Sequence, residues 1–131
     1  MKLITRDADY AVRALCAIAN HKEKIVSVEQ LVRDLKMPRP FMRKILQRLN
    51  KKGLLCSYKG KGGGFSLARS AEKILLLNVI ESFQGPVEIM DHLFKKRKCP
   101  NTKKCKLKIE MDELEQLVIG KLKSITIASL L

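Results

Sequence analysis

Two sets of side chains in this chain have the types and spacing to do chemistry. The first is thiol. Cys99 and Cys105 are separated by five residues, inside a stretch, 95–108, that carries eight Lys or Arg and no acid. Neighbouring cations favour thiolate, the form that ligates metal or meets an oxidant. C-x5-C without a second pair or suitably spaced histidines matches no common structural zinc site. Residue type alone therefore leaves metal ligation, redox chemistry and an inert exposed pair all open. Cys16 lies among Ala14, Leu15, Ala17 and Ile18, and Cys56 lies in an extended run, so both read as small core residues. The second set is cationic. Residues 35–71 hold ten basic side chains, Lys36, Arg39, Arg43, Lys44, Arg48, Lys51, Lys52, Lys59, Lys61 and Arg69, and no acid.

Other chemistry is not expected. His21 and His92 have no serine or cysteine beside them in a nucleophile motif, and no carboxylate pair suits acid and base roles. The glycine run at residues 60–64 lacks the G-x-x-x-x-G-K-[ST] pattern of a phosphate loop. It reads instead as a hairpin tip needing positive φ or close approach to a DNA backbone. The chain is not expected to be an enzyme.

These side chains must be held by regular elements. Over residues 5–20, Tyr10, Ala11, Ala14, Leu15 and Ile18 recur at three- and four-residue steps, as on a helix with one buried face. Residues 27–35 open with Ser27-x-x-Gln30, a capping box, ahead of Val28, Leu31, Val32 and Leu35. Pro38 and Pro40 then force a turn, and Pro40 suits the first position of a third helix, residues 40–52, ending at Gly53. That helix is predicted to bury Phe41, Met42, Ile45, Leu46 and Leu49 and to turn Arg39, Arg43, Lys44, Gln47 and Arg48 outward. Extended runs at 54–59 and 65–68 flank the glycines as a hairpin. Helix-turn-helix plus hairpin is a winged helix. Residues 74–77 read as a short strand or linker, 79–84 as a short helix closed by Gly85-Pro86, and 95–108 as an exposed loop. Beyond it Leu107, Met111, Leu114, Val118 and Ile125 make a heptad-like stripe on a long helix that calls for a second copy.

The fold class expected is therefore mainly α with a small β hairpin: a winged helix-turn-helix plus a long C-terminal dimerisation helix. The expected divisions are a DNA-binding domain at 1–85, an effector loop at 86–106, and a dimerisation helix and tail at 107–131. At 131 residues there is room for one core and little for a catalytic domain. With 46% hydrophobic residues the chain can build that core. The 27 basic against 13 acidic residues, a net charge of +14, point to a polyanion partner. A helix fits the major groove of double-stranded DNA and a basic hairpin reaches the minor groove, so the DNA-binding candidates are Arg39, Arg43, Lys44, Gln47, Lys59 and Lys61. No apolar run approaches the about 18 residues of a membrane helix. Asp7, Asp9 and Arg13 near the N-terminus suit no signal or transit peptide, which leaves the cytoplasm as the expected compartment.

The stretch Asp9-Tyr10-Ala11-Val12-Arg13-Ala14-Leu15, the helix pair over 27–55, and above all the wing Gly62-Gly63-Gly64-Phe65-Ser66-Leu67-Ala68 following Lys51-Lys52-Gly53-Leu54 carry a resemblance. Across nearly its whole length the chain resembles the Rrf2-type family of bacterial winged-helix transcription regulators. The resemblance implies a homodimer joined by the C-terminal helix and a sensing loop before that helix. In the IscR and NsrR branches the loop holds an iron-sulfur cluster; the CymR branch is cluster-free. Cluster-binding members carry C-x5-C-x5-C. Here Cys99 and Cys105 match the first two positions, Met111 occupies the third, and Leu114 stands where IscR-like members place a histidine. Asp9 lies near the carboxylate that completes the NsrR-type site from the other subunit, so the ligand set implied is Cys99, Cys105 and Asp9. Arg43 and Lys44 replace the Glu and Gln of IscR-like members, which implies a different operator. The expected function is a sequence-specific DNA-binding regulator, a repressor sensing an iron-sulfur, redox or related signal. The rival reading is a non-regulatory winged-helix module serving RNA or chromosome architecture.

Overall fold

The structure, a computed structural model, describes residues 2–90 and 105–131; His92, Cys99 and the basic run 95–104 lie outside them. Helix α1 (Arg6–Asn20) starts at Thr5, whose Oγ1 accepts the Ala8 N–H at 3.4 Å, and buries Ala8, Ala11, Ala14, Leu15 and Ile18. Helix α2 (Val28–Leu35) is capped by Ser27 Oγ, which accepts the Gln30 N–H at 3.2 Å. It ends at Lys36 in the left-handed conformation, φ +53°, an uncommon geometry for a non-glycine residue and the pivot of the turn. Helix α3 (Arg39–Lys51) follows, with Pro38 as its N-cap. Pro40 takes the second helical position, one later than expected; its missing N–H is harmless because the first four N–H groups of a helix have no internal partner.

Strands β1 (Leu55–Tyr58) and β2 (Gly64–Leu67) pair antiparallel with Leu55 opposite Leu67 and Tyr58 opposite Gly64. A third backbone segment joins them. Val26 donates to the Phe65 carbonyl at 2.9 Å and accepts from the Phe65 N–H at 2.8 Å, tying the hairpin to the segment before α2. This bridge explains the glycines. A Cβ on Gly64 would lie 2.2 Å from the Val26 carbonyl oxygen, and one on Gly63 2.3 Å from that of Tyr58. The close approach is thus to the chain's own backbone, whereas Gly60 at the tip takes φ +89° with open space around it.

Three expectations change beyond the wing. Residues 74–77 are neither strand nor linker alone: Leu75 bridges Thr126, and helix α4 (Leu76–Gln84) already begins at Leu76, three residues before its expected start. The expected loop over 95–108 ends early, since Cys105 is the N-cap of helix α5 (Lys106–Ser124). The stripe on α5 is also not a single seam. Val118 packs with Leu122 and Ile125 onto Leu76, Leu77 and Ile80 of the same chain, while Leu107 and Leu114 stay outside. Periodicity marks a stripe but cannot say how much of it the chain's own α4 covers.

The main core gathers Leu15, Leu31, Met42, Ile45, Leu46, Leu49, Leu55, Ile74, Val79 and Ile127. Ile127 is wholly buried, and its N–H donates to the Ile74 carbonyl at 2.9 Å, so the C-terminal tail closes the N-terminal core. Burying such a side chain contributes about 1.5 to 3 kcal/mol. Cys56, by contrast, is exposed on β1 and is not the core residue expected: of that strand only Leu55 is buried. Cys16 is half-buried, and burial pushes its thiol pKa up.

Gly64→Ala is expected to cost about 2 to 4 kcal/mol, because the Val26–Ser27 backbone beside it must move. Gly60→Ala should cost about 1 kcal/mol, from its positive φ alone. Denaturant midpoints of the two variants check the ordering.

Candidate nucleic-acid interface

Helix α3 has two faces with different chemistry. Met42, Ile45, Leu46 and Leu49 are 0–2% exposed. That burial fixes the helix roll and leaves Arg43, Lys44, Gln47 and Asn50 exposed on the opposite face. Phe41, expected in the core, is only half-buried. Its ring meets Tyr10 edge-on at 5.6 Å, with the Arg6 guanidinium 5.4 Å from its centroid, which pins the N-terminal turn of α3 to α1. No side chain caps that turn; Pro40 has no N–H and the Met42 N–H donates to the Pro38 carbonyl at 3.0 Å, which leaves the Arg39 and Phe41 N–H groups as its uncapped donors. Lys59 and Lys61 are exposed at the wing tip, separated by Gly60.

The other predicted cations have company. Arg39 is ion-paired with Glu29 of α2. Arg48 leaves the set that faces open solvent alone: its Nε donates to the Ser82 carbonyl at 3.2 Å, and its guanidinium lies 5.0 Å from the centre of the Phe83 ring. Sequence reasoning missed both contacts. Glu29 and Ser82 lie 10 and 34 residues away from their partners, beyond any periodicity. The structure therefore brings Arg43, Lys44 and Gln47 together on one face, carries Lys59 and Lys61 on the hairpin, and engages Arg39 at the edge.

Three comparisons bear on this arrangement. Over residues 4–131 the chain matches the family model described as Rrf2, iron-dependent transcriptional regulator. The chain belongs to the Rrf2 family. It is 33% identical over 124 residues to a protein of Aquifex aeolicus named for HTH-type transcriptional regulation, covering 93% of this chain and 86% of that one. It is 30% identical to the protein rrf2 of Nitratidesulfovibrio vulgaris, covering 100% and 87%. Among solved structures, CymR, the global cysteine regulator of B. subtilis, superposes with a TM-score of 0.79 at 21% identity, over 99% of this chain and 96% of that chain. T. potens IscR gives 0.74 at 23% identity, over 99% and 85%. At those identities the structural likeness concerns the fold. Membership in the Rrf2 family makes this chain a DNA-binding transcriptional regulator on a winged helix, not an enzyme. The regulatory reading thereby displaces the architectural one. Among the described residues no helix is long and apolar enough to cross a membrane.

The donor set for the cluster that the family implies can be tested residue by residue. Cys105 Sγ accepts the Lys108 N–H at 3.4 Å as the cap of α5. Asp9 is held by Arg13 Nε at 3.0 Å, one turn along α1. Among the described residues no three His, Cys, Asp or Glu side chains group as metal ligands. Cys99 lies outside those residues, and Met111 offers only a thioether in the third cysteine position. With Asp9 the expected set is two thiols, a carboxylate and, in the third cysteine position, a thioether, against the four, mostly thiolate, ligands that clusters take. By donor chemistry this set is a poor match to the family's iron-sulfur site.

Proposed function

We propose that the chain acts as a homodimeric, sequence-specific repressor that lays α3 in the major groove and its wing along the minor groove. The observation that carries this reading is the acid-free exposed face of α3, held against a core that cannot rotate. Arg43, Lys44 and Gln47 then meet base edges, where Arg or Lys to guanine and Gln to adenine are the favourable pairings. Phosphates meet the uncapped start of α3, Arg39, Lys59 and Lys61. Residues 1–85 serve as the reading head, 86–106 as the effector segment and 107–131 as the pairing element. Repression follows from occupying a promoter duplex.

The pairing element has a defined open side. Leu107, Leu114 and Leu117, within about 80° of one another around α5, are 43–71% exposed, an apolar surface a soluble helix does not ordinarily leave bare. A second α5 covering it gives a two-fold dimer whose heads read two half-sites. For the signal, we propose dithiol chemistry rather than a cluster. Cys99 and Cys105 thiols, giving two electrons and two protons to an oxidant, form a disulfide. Because Cys105 caps α5, that bond acts on the start of the pairing helix.

Selection from random duplexes should return a palindrome. On it Arg43→Ala should lose about 1 to 3 kcal/mol, more than on random DNA. Lys59→Ala with Lys61→Ala should flatten the salt dependence by about 1.8 in log-log slope. Equal losses of Arg43→Ala on both DNAs mean a phosphate contact. Leu114→Glu should give monomers in sedimentation, with weak operator binding; a persistent dimer overturns the α5 seam. Oxidant should alter operator affinity in the wild type and not in Cys99→Ser/Cys105→Ser. An unchanged response in that double variant removes thiol sensing, and stoichiometric iron in anaerobically purified protein restores the cluster reading.

A further inference from the structure

Arg48 lies within an acid-free stretch of the recognition helix, with Lys44 one turn before it and Lys51 and Lys52 one turn after. By sequence it is one more outward-facing cation of that helix. Its contacts set it apart. The Nε donates to the carbonyl of Ser82, and the guanidinium sits over the ring of Phe83, both in the last turn of α4. Ser82 has one of the four C-terminal carbonyls that a helix leaves without an internal partner, and α4 carries no basic residue of its own in that turn. A cation at that end is favoured by the helix dipole. Arg48 therefore caps α4 from a different helix, and it makes the one hydrogen bond from α3 to α4 among the described residues.

Helix α4 is also the surface on which α5 rests, through Leu76, Leu77 and Ile80 against Val118 and Leu122. Arg48 thus stands between the helix that reads DNA and the helix that sets where the reading head sits. The roll of α3 is fixed by its buried face, and Arg48 is the side chain that ties its outer side to α4.

We propose that Arg48 is a positioning residue that sets the tilt of α3 against α4 and thereby the match of Arg43, Lys44 and Gln47 to the operator. This rests on the reading of α3 as the groove helix. A lysine keeps the charge at this position but lacks the planar guanidinium that hydrogen-bonds Ser82 and stacks on Phe83 together.

The test uses the full-length chain, a duplex selected by the wild type, and random DNA, titrated over a range of salt. Arg48→Lys and, separately, Phe83→Leu should each lower the ratio of operator to random affinity by about fivefold to tenfold while leaving the salt slope unchanged. The double variant should lose no more than either single one. A generally weakened fold would reduce both affinities alike and leave the ratio standing, which overturns the proposal. So does full activity in Arg48→Lys, and so does a slope lowered in Arg48→Ala by about 0.9 with Phe83→Leu neutral, the behaviour of a phosphate contact. A wild type that selects no duplex overturns the groove reading itself and this proposal with it.

Discussion

The burial of one side of α3 is the constraint from which the rest follows. Met42, Ile45, Leu46 and Leu49 are withdrawn from water against α1, the hairpin and Ile127, and rolling the helix would expose all four at once. Each such side chain is worth about 1.5 to 3 kcal/mol when buried, far beyond what a surface charge pair contributes, about 0 to 1 kcal/mol. Hydrophobic packing therefore decides where the cations point. The basic face is presented to solvent because its opposite face has nowhere else to go.

The elements around α3 act as braces on that decision. Tyr10 and Arg6 hold Phe41 at the start of the helix, and Ser82 and Phe83 receive Arg48 near its end. The wing is braced separately, by the two hydrogen bonds between Val26 and Phe65 and by glycines small enough to let those backbones meet. The C-terminal tail adds a brace of another kind. It returns from α5 along residues 74–76, where Leu76 donates to the Ile125 carbonyl at 2.9 Å, and seats Ile127 in the core. The end of α5 is for that reason joined through the tail to the main core. The same helix is tied at its middle, where Glu115 accepts the Ile89 N–H at 3.1 Å.

The charge distribution serves the ligand at some cost to the fold. Lys44, Arg48 and Lys51 follow one another at one-turn spacing, like charges that disfavour one another on a helix, and such a face is most favourable when a polyanion lies against it. Glu29 and the Ser82 carbonyl take up Arg39 and Arg48 at the edges, which leaves the central positions uncommitted. Burial and edge pairing together sort a row of similar cations into different jobs.

The helices, the turn at Pro38, the hairpin and the basic face of α3 were all legible in the residue order, because periodicity, capping and turn chemistry are local and each signal spans fewer than about ten residues. The cap in which Ser27 Oγ accepts the Gln30 N–H, and the outward set Arg43, Lys44 and Gln47, were readable for that reason. What depended on distant partners was not. Cys56 reads as a core residue in its extended run, yet it stands exposed on β1. The wing glycines read as a site of positive φ or close approach to DNA, yet at Gly64 it is Val26 that lies close, and Val118 and Ile125 read as one seam with Leu107 and Leu114, yet α4 takes the first pair. Arg48 and Lys44 are nearly equivalent as residues in a sequence. Only the approach of Ser82 and Phe83, 34 and 35 positions away, makes one a clamp and leaves the other facing solvent, since a tertiary contact depends on how two surfaces meet and not on either segment alone.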